Sequence, residues 1–339
     1  MLEATGAHQN LDQLLEILAS AVGLALDGAD RLDLKITNAA LKEMREAFRV
    51  FMPYRNVPKV TIFGSARTLP DDPLYSQTRD FGAAAAAAGW MVVTGAGPGI
   101  MAAGAEGAGR ERSIGVNIRL PFEQANALLD SDPKLVLMKY FFTRKLMLMK
   151  ESAGFAVLPG GFGTLDETFE LLTLLQTGKA TPAPIVLLDV PGGSYWRNWR
   201  RFLDDEIVAR DLASPDDMLL CRITDDVGAA LDEILGFYRN YHSIRFVRRR
   251  LVVRIRAEPS ASDLAVLNDK FADICVAGRI ERIEPLTPEI AENDHLELVR
   301  IAFEFDRMSY GRLRALIDMV NEFSSAPSST SEPGDGREL

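Results

Sequence analysis

The chain is poor in the residues that staple or metallate a fold. Its 339 residues include two cysteines, Cys221 and Cys275, and three histidines. Neither cysteine lies in a CxxC or a Cys/His cluster, which argues against a disulfide framework and a structural zinc site and suits a reducing cytoplasm. Long apolar runs are missing too. The stretch from Ile17 to Leu26 is bracketed by Glu16 and Asp27 and is too short to span a membrane. The first residues carry no basic segment of the secretory kind. Positive charge is in deficit, with 38 Lys and Arg against 48 Asp and Glu and a formal net charge of −10. That argues against broad nucleic-acid binding and leaves room only for a local basic patch. What remains, 47% hydrophobic and 25% charged, is globular. The length suits two domains, or one large domain with additions, and a core that needs no staple.

The pattern changes three times along the chain. Residues 1–52 read as a helical extension, with Leu11, Leu14, Leu15 and Leu18, then Leu41, Met44 and Phe48, at the spacing of an apolar helix face. This extension is expected to pack on the main domain, a substrate lid or dimer arm being the alternative. Residues 53–240 alternate short apolar runs (VTIF, WMVVT, SIGVNI, FAVL, PIVLLDV) with helical segments. Continuously apolar strands alternating with helices predict a Rossmann-like, doubly wound parallel sheet covered on both faces. Residues 241–323 read as a small α+β domain of the ferredoxin-like kind. The segment RRRLVVRIRAE forms a strand with an arginine-bearing face, expected to be solvated and balanced by nearby acids, with nucleic acid or an acidic effector as the sharper option. Residues 324–339, rich in Ser, Pro and Gly, read as a disordered tail.

Open parallel sheets bind ligands at the carboxyl ends of their strands, and three strands here end in glycine-bearing turns. The first is Gly64-Ser65-Ala66-Arg67, the second Gly95-Ala96-Gly97-Pro98-Gly99, and the third Leu158-Pro159-Gly160-Gly161-Phe162-Gly163-Thr164. Glycines ahead of a helix let an anion approach the backbone amides and the positive end of the helix dipole. Thr164 is positioned to cap the helix or to offer its hydroxyl to a phosphate, and Asp166 and Glu167 to occupy the first turn. The second turn is neither a GxGxxG fingerprint nor a P-loop, because Ile100 stands where the third glycine belongs and no GK[ST] follows. A mononucleotide cradle is the reading that uses all three turns. Met138, Phe141, Met147 and Met149 are either core or the wall of a base pocket, core being the commoner fate.

VLPGGFGTLDETFE matches the PGGxGTxxE motif of the LONELY GUY (LOG) family, and FFTRKLMLMKES resembles the family's Arg-Lys helix. TGAGPGIM and FGSA resemble its other two turns, so that the resemblance runs from about Lys59 to Ala209. It implies a phosphoribohydrolase, cleaving a nucleoside 5′-monophosphate to free base and ribose 5-phosphate without a cofactor or metal, and self-associating as a homodimer or higher homo-oligomer. It carries the catalytic roles onto Arg144 and Glu167. Phosphate binding falls on Gly160, Gly161, Gly163 and Thr164, with Ser65, Gly97 and Gly99 as weaker members. The long flanks match an extended bacterial branch, which favours AMP or a related monophosphate over a cytokinin form. Members have also been named lysine decarboxylases, and the sequence has no convincing signature of a lysine bound to pyridoxal phosphate. The contrasting reading on the same sheet is a nucleotide or cofactor carrier that cleaves nothing; a third is an effector sensor centred on the C-terminal domain.

Overall fold

The computed structural model describes residues 10–118, 129 and 131–328. His8 and the tail from residue 329 lie outside them. Within them, seven strands form one parallel sheet: β1 (Lys59–Phe63), β2 (Met91–Thr94), β3 (Ser113–Ile118), β4 (Leu135–Met138), β5 (Gly154–Val157), β6 (Ile185–Leu188) and β7 (Cys221–Thr224). Their order is β4-β3-β2-β1-β5-β6-β7, and every neighbouring pair is parallel. The five apolar runs of the sequence are the five inner strands. The two strands that the sequence pattern did not announce, β4 and β7, are the edges, where one flank is open and a continuous apolar run is not required.

Alternation along the strands splits the core. Val60, Ile62, Val92, Ala156, Val186 and Leu188 face one layer; Phe63, Met91, Val93, Phe155, Val157, Ile185 and Leu187 face the other. The first layer holds residues of α3 (Pro73–Ala87), α4 (Ile100–Ala108) and α8 (Val227–Gly236). The second holds residues of α2 (Arg31–Phe51), α5 (Phe141–Lys150), α6 (Phe162–Gln176) and α7 (Tyr195–Phe202). The N-terminal extension therefore divides. The helix α2 buries Ala40, Ala47, Val50 and Phe51, whereas α1 (Leu11–Leu26) buries none of its residues, so the expected packing on the main domain holds for α2 alone.

The rest of the chain forms a four-stranded antiparallel sheet in the order β10-β11-β9-β8, from β8 (Tyr241–Val247), β9 (Arg250–Ile255), β10 (Cys275–Ile283) and β11 (Val299–Phe305), with α9 (Ala261–Lys270), α10 (Thr287–Glu292) and α11 (Tyr310–Asn321). The strand beside β9 is β8, which precedes it, where a βαββαβ unit carries its last strand. One face of this sheet, with Leu251, Val253, Ile255, Ile301, Phe303 and Phe305, shares a single apolar core with the first layer of the parallel sheet. A further tie crosses the junction: Gly178, in the left-handed turn that ends α6, lies so close to Tyr310 that a Cβ would run into the phenol ring.

The opposite face corrects the expectation of a solvated arginine surface. Arg254 and Arg300 are cross-strand partners, 2% and 0% exposed, and two cations so placed need a shared anion. Glu289 of α10, itself 0% exposed, supplies it: one carboxylate oxygen accepts from Arg254 at 2.8 Å and from Arg300 at 3.1 Å. Asp294 also pairs with Arg254, and with Arg245, which reaches Glu292 at 2.8 Å. Burial pushes the Glu289 carboxyl up, but hydrogen bonds from Arg254, the Leu286 amide and Arg300 outweigh it and hold the group below its ordinary value. Removing one partner of a buried ionic cluster strands the others, at a cost of about 3–5 kcal/mol. Glu289→Ala is therefore expected to lower the urea midpoint at pH 7 sharply, with Glu289→Gln intermediate; equal midpoints for Ala and wild type would contradict the reading of this cluster.

Candidate active site

The sheet reverses its direction of growth at β1, which pairs with β2 on one side and β5 on the other. Open α/β sheets carry a crevice at such a switch point. Here the turns after β1 and β5 touch: the Ser65 amide donates to the Pro159 carbonyl at 3.3 Å, and Ile100, at the start of α4, donates to the Ser65 carbonyl at 3.0 Å. Above them opens a cavity of about 590 Å³.

Its lining brings together most of the residues singled out in the sequence: Ser65, Arg144, Gly160, Gly161, Gly163, Thr164 and Glu167. Gly97 and Gly99 are not among the lining residues; Gly97 is buried, and Gly99 is the N-cap of α4, packed on the Ser65–Ala66 backbone. Phe141 lines the cavity and is half exposed, whereas Met138, Met147 and Met149 are core.

The third turn differs in detail from its sequence reading. Helix α6 starts at Phe162 with Gly161 as N-cap and no side-chain cap, so Thr164 lies inside the helix and caps nothing. No acid occupies its first turn, and Asp166 and Glu167 follow in the second. Gly160 has no room for a side chain, since a Cβ would collide with the Thr164 hydroxyl and crowd the Ser65 amide. Gly161 and Gly163 face open space.

Arg144 reaches the cavity from α5. Its Nε donates to the Val116 carbonyl at 2.9 Å, and its Nη1 lies 3.5 Å from Glu167 Oε1, with both side chains largely buried. Nearby, Asp166 pairs with Lys145 at 3.0 Å, and Glu151 with Lys150 at 2.8 Å. Two further residues set the position of Arg144. A Cβ at Gly95 would run into the guanidinium, so this glycine of the second turn clears its path. Glu43 of α2 accepts from the Lys139 amide at 2.9 Å and the Thr143 hydroxyl at 2.6 Å, which anchors the N-terminus of α5. Gly95 stood within a quoted motif; nothing in a helical Glu43 signals a partner 100 residues away. His242 and His295 meet edge-on in the C-terminal region, 4.5 Å between ring centroids, and do not line the cavity. Among the described residues no cluster of three metal-ligating side chains occurs, and no helix is long and apolar enough to cross a membrane.

Burial dominates the state of Glu167. It raises the carboxyl from an ordinary 4.5 to about 7, against Arg144 and Lys145, which lower it, and with Asp166 and Glu170, which raise it. An acid with a raised folded-state pKa holds its proton more tightly in the folded chain. Stability then falls as pH rises from about 4.5 to about 7 and levels off above. At about 1.4 kcal/mol per pH unit the cost above pH 7 is on the order of 3 kcal/mol at most. Glu167→Gln is expected to melt a few degrees higher than wild type at pH 8, with the gap closing below pH 5; scanning calorimetry at both pH values checks it.

Residues 99–234 match a protein family described as "Possible lysine decarboxylase". Over 158 residues the chain is 34% identical to a cytokinin riboside 5′-monophosphate phosphoribohydrolase of Mycobacterium tuberculosis, a match covering 45% of this chain and 80% of that protein. A 64-residue stretch, 19% of this chain, is 39% identical to cytokinin riboside 5′-monophosphate phosphoribohydrolase LOG1 of Arabidopsis thaliana and covers 29% of it. Among solved structures, a molybdenum cofactor carrier protein of Chlamydomonas reinhardtii is similar at 20% identity and a TM-score of 0.38, covering 53% of this chain and 99% of that one.

Proposed function

The chain belongs to the LONELY GUY (LOG) family, and on that premise we propose that it hydrolyses the N-glycosidic bond of a nucleoside 5′-monophosphate, AMP or a close relative, to free base and ribose 5-phosphate. The observation that carries this is the Arg144–Glu167 pair, 3.5 Å apart, in one cavity with the glycine turn that opens α6. No lysine is among the described residues lining that cavity, so none of them offers the amine that a Schiff base with pyridoxal phosphate needs.

The chemistry divides between the two ends of the nucleotide. The Gly160–Thr164 turn takes the 5′-phosphate on backbone amides at the positive end of α6. Phosphate binding then fixes the ribose, so that binding energy remote from the reacting carbon positions it. Breaking the bond to the base builds positive charge on the sugar ring. The Glu167 carboxylate stabilises that charge and aligns the attacking water, as carboxylates do in glycoside hydrolysis. Arg144 orients Glu167 and keeps a fraction of it ionised against the burial that favours its proton.

Base release from a panel of nucleoside 5′-monophosphates tests this directly. Wild type is expected to yield base and ribose 5-phosphate in equal amounts, with turnover lower by about 10²–10³-fold in Glu167→Gln and strongly reduced in Arg144→Ala. No release from any monophosphate, despite measurable binding, would replace hydrolysis by the carrier reading.

The ionised carboxylate is the working form in this mechanism. With the Glu167 pKa at about 7 in the free protein, kcat/KM is expected to rise tenfold per pH unit below about pH 7 and to flatten above it. A profile flat from pH 5 to pH 8 would remove Glu167 from that role.

A further inference from the structure

We infer that Tyr195 is a positioning residue for phosphate: it sets the peptide plane that aims a backbone amide of the glycine turn into the cavity. This rests on the reading of that turn as the phosphate site. Tyr195 opens α7 and is not part of any motif in the sequence. Its hydroxyl donates to the Gly160 carbonyl at 2.8 Å. In a trans peptide the carbonyl and the following N–H point in opposite directions. Fixing the Gly160 carbonyl therefore fixes the Gly161 N–H. Tyr195 does not line the cavity, whereas Gly160 and Gly161 do. A carbonyl drawn away from the cavity turns the Gly161 amide towards it, and that amide has no backbone partner among the described residues. Without the phenol, the peptide is free to rotate and present a carbonyl oxygen, which repels an anion, where the donor should be.

The phenol is itself held in place. The Tyr195 amide donates to Asp189 Oδ2 at 3.0 Å, and the Val190 amide donates to Oδ1 of the same buried carboxylate at 2.9 Å. The ring stands edge-on to Trp196, with centroids 4.8 Å apart. Burial raises the Tyr195 hydroxyl above its ordinary value, so it stays a donor throughout the neutral range.

Tyr195→Phe removes one oxygen and keeps the ring. Ribose 5-phosphate, a nucleoside 5′-monophosphate and the matching nucleoside without phosphate serve as probes, measured by calorimetric titration. A hydrogen bond of about 1 kcal/mol corresponds to a roughly fivefold loss. We expect the variant to bind both phosphorylated probes about five- to tenfold more weakly, to bind the nucleoside as wild type does, and to raise KM more than it lowers kcat, with an unchanged melting temperature. Unchanged affinity for ribose 5-phosphate would overturn the role of Tyr195, as would an equal loss for all three probes, which marks general support of the fold. Failure of wild type to bind either phosphorylated probe would instead remove the phosphate reading of the turn itself.

Discussion

A parallel sheet that grows in both directions from β1 leaves a gap at the carboxyl ends of β1 and β5 that no crossover can fill. The surrounding contacts are responses to that gap. The turns after the two strands lean together through the Ser65 amide and the Pro159 carbonyl. Gly160 gives up its side chain so that Thr164 and Ser65 can close on it. The helices α5 and α6 arrive from one layer and lower an arginine and a glutamate into the space between. Because the gap is sheltered from water, a carboxylate placed in it is held reluctantly, and a guanidinium nearby becomes the means of keeping it partly ionised.

The same chain buries guanidinium groups in two ways, and the contrast separates architecture from chemistry. In the antiparallel sheet, Arg254 and Arg300 share Glu289 at hydrogen-bonding distance, and the carboxylate is held firmly ionised. Every charge there is answered, so nothing is left to act on a ligand. At the switch point Arg144 spends its Nε on a backbone carbonyl and approaches Glu167 only to 3.5 Å. There burial outweighs the arginine and raises the Glu167 carboxyl to about 7, whereas Glu289 is held below its ordinary value.

Much of this was legible in the residues. The apolar runs VTIF, WMVVT and FAVL read as strands of a parallel sheet, and the glycines that end them lie together at the carboxyl edge of that sheet. Arg144 and Glu167 were legible through the motif pair, and they do meet. The edge strands β4 and β7 were not: CRIT carries no apolar run, and the short apolar run LVLM went unread as a strand. The start of α6 was misplaced by two residues, since Phe162 sits helical between two glycines that read as loop. The fate of Arg254 and Arg300 was invisible for a different reason. The strand reading of RRRLVVRIRAE put Arg254 on an arginine-bearing face, but only the return of α10 over that face decides whether it is wet or dry. Glu43, Gly95 and Tyr195 act through contacts from 35 to 100 residues away in sequence, which no local pattern encodes.

The apolar core shared by the two sheets has a bearing on motion. Domains that close on a ligand usually pivot about a few linker residues across a modest, polar boundary. Here the boundary is interior: Val60 and Ile62 on one side and Val253 and Phe303 on the other belong to one continuous cluster, so a pivot there would have to expose it. The C-terminal unit is better seen as a buttress than as a jaw. The helix α6 joins this unit to the cavity: the glycine turn after its last residue is lodged against Tyr310, and its first turn borders the cavity, so neither end can shift without disturbing a packed contact.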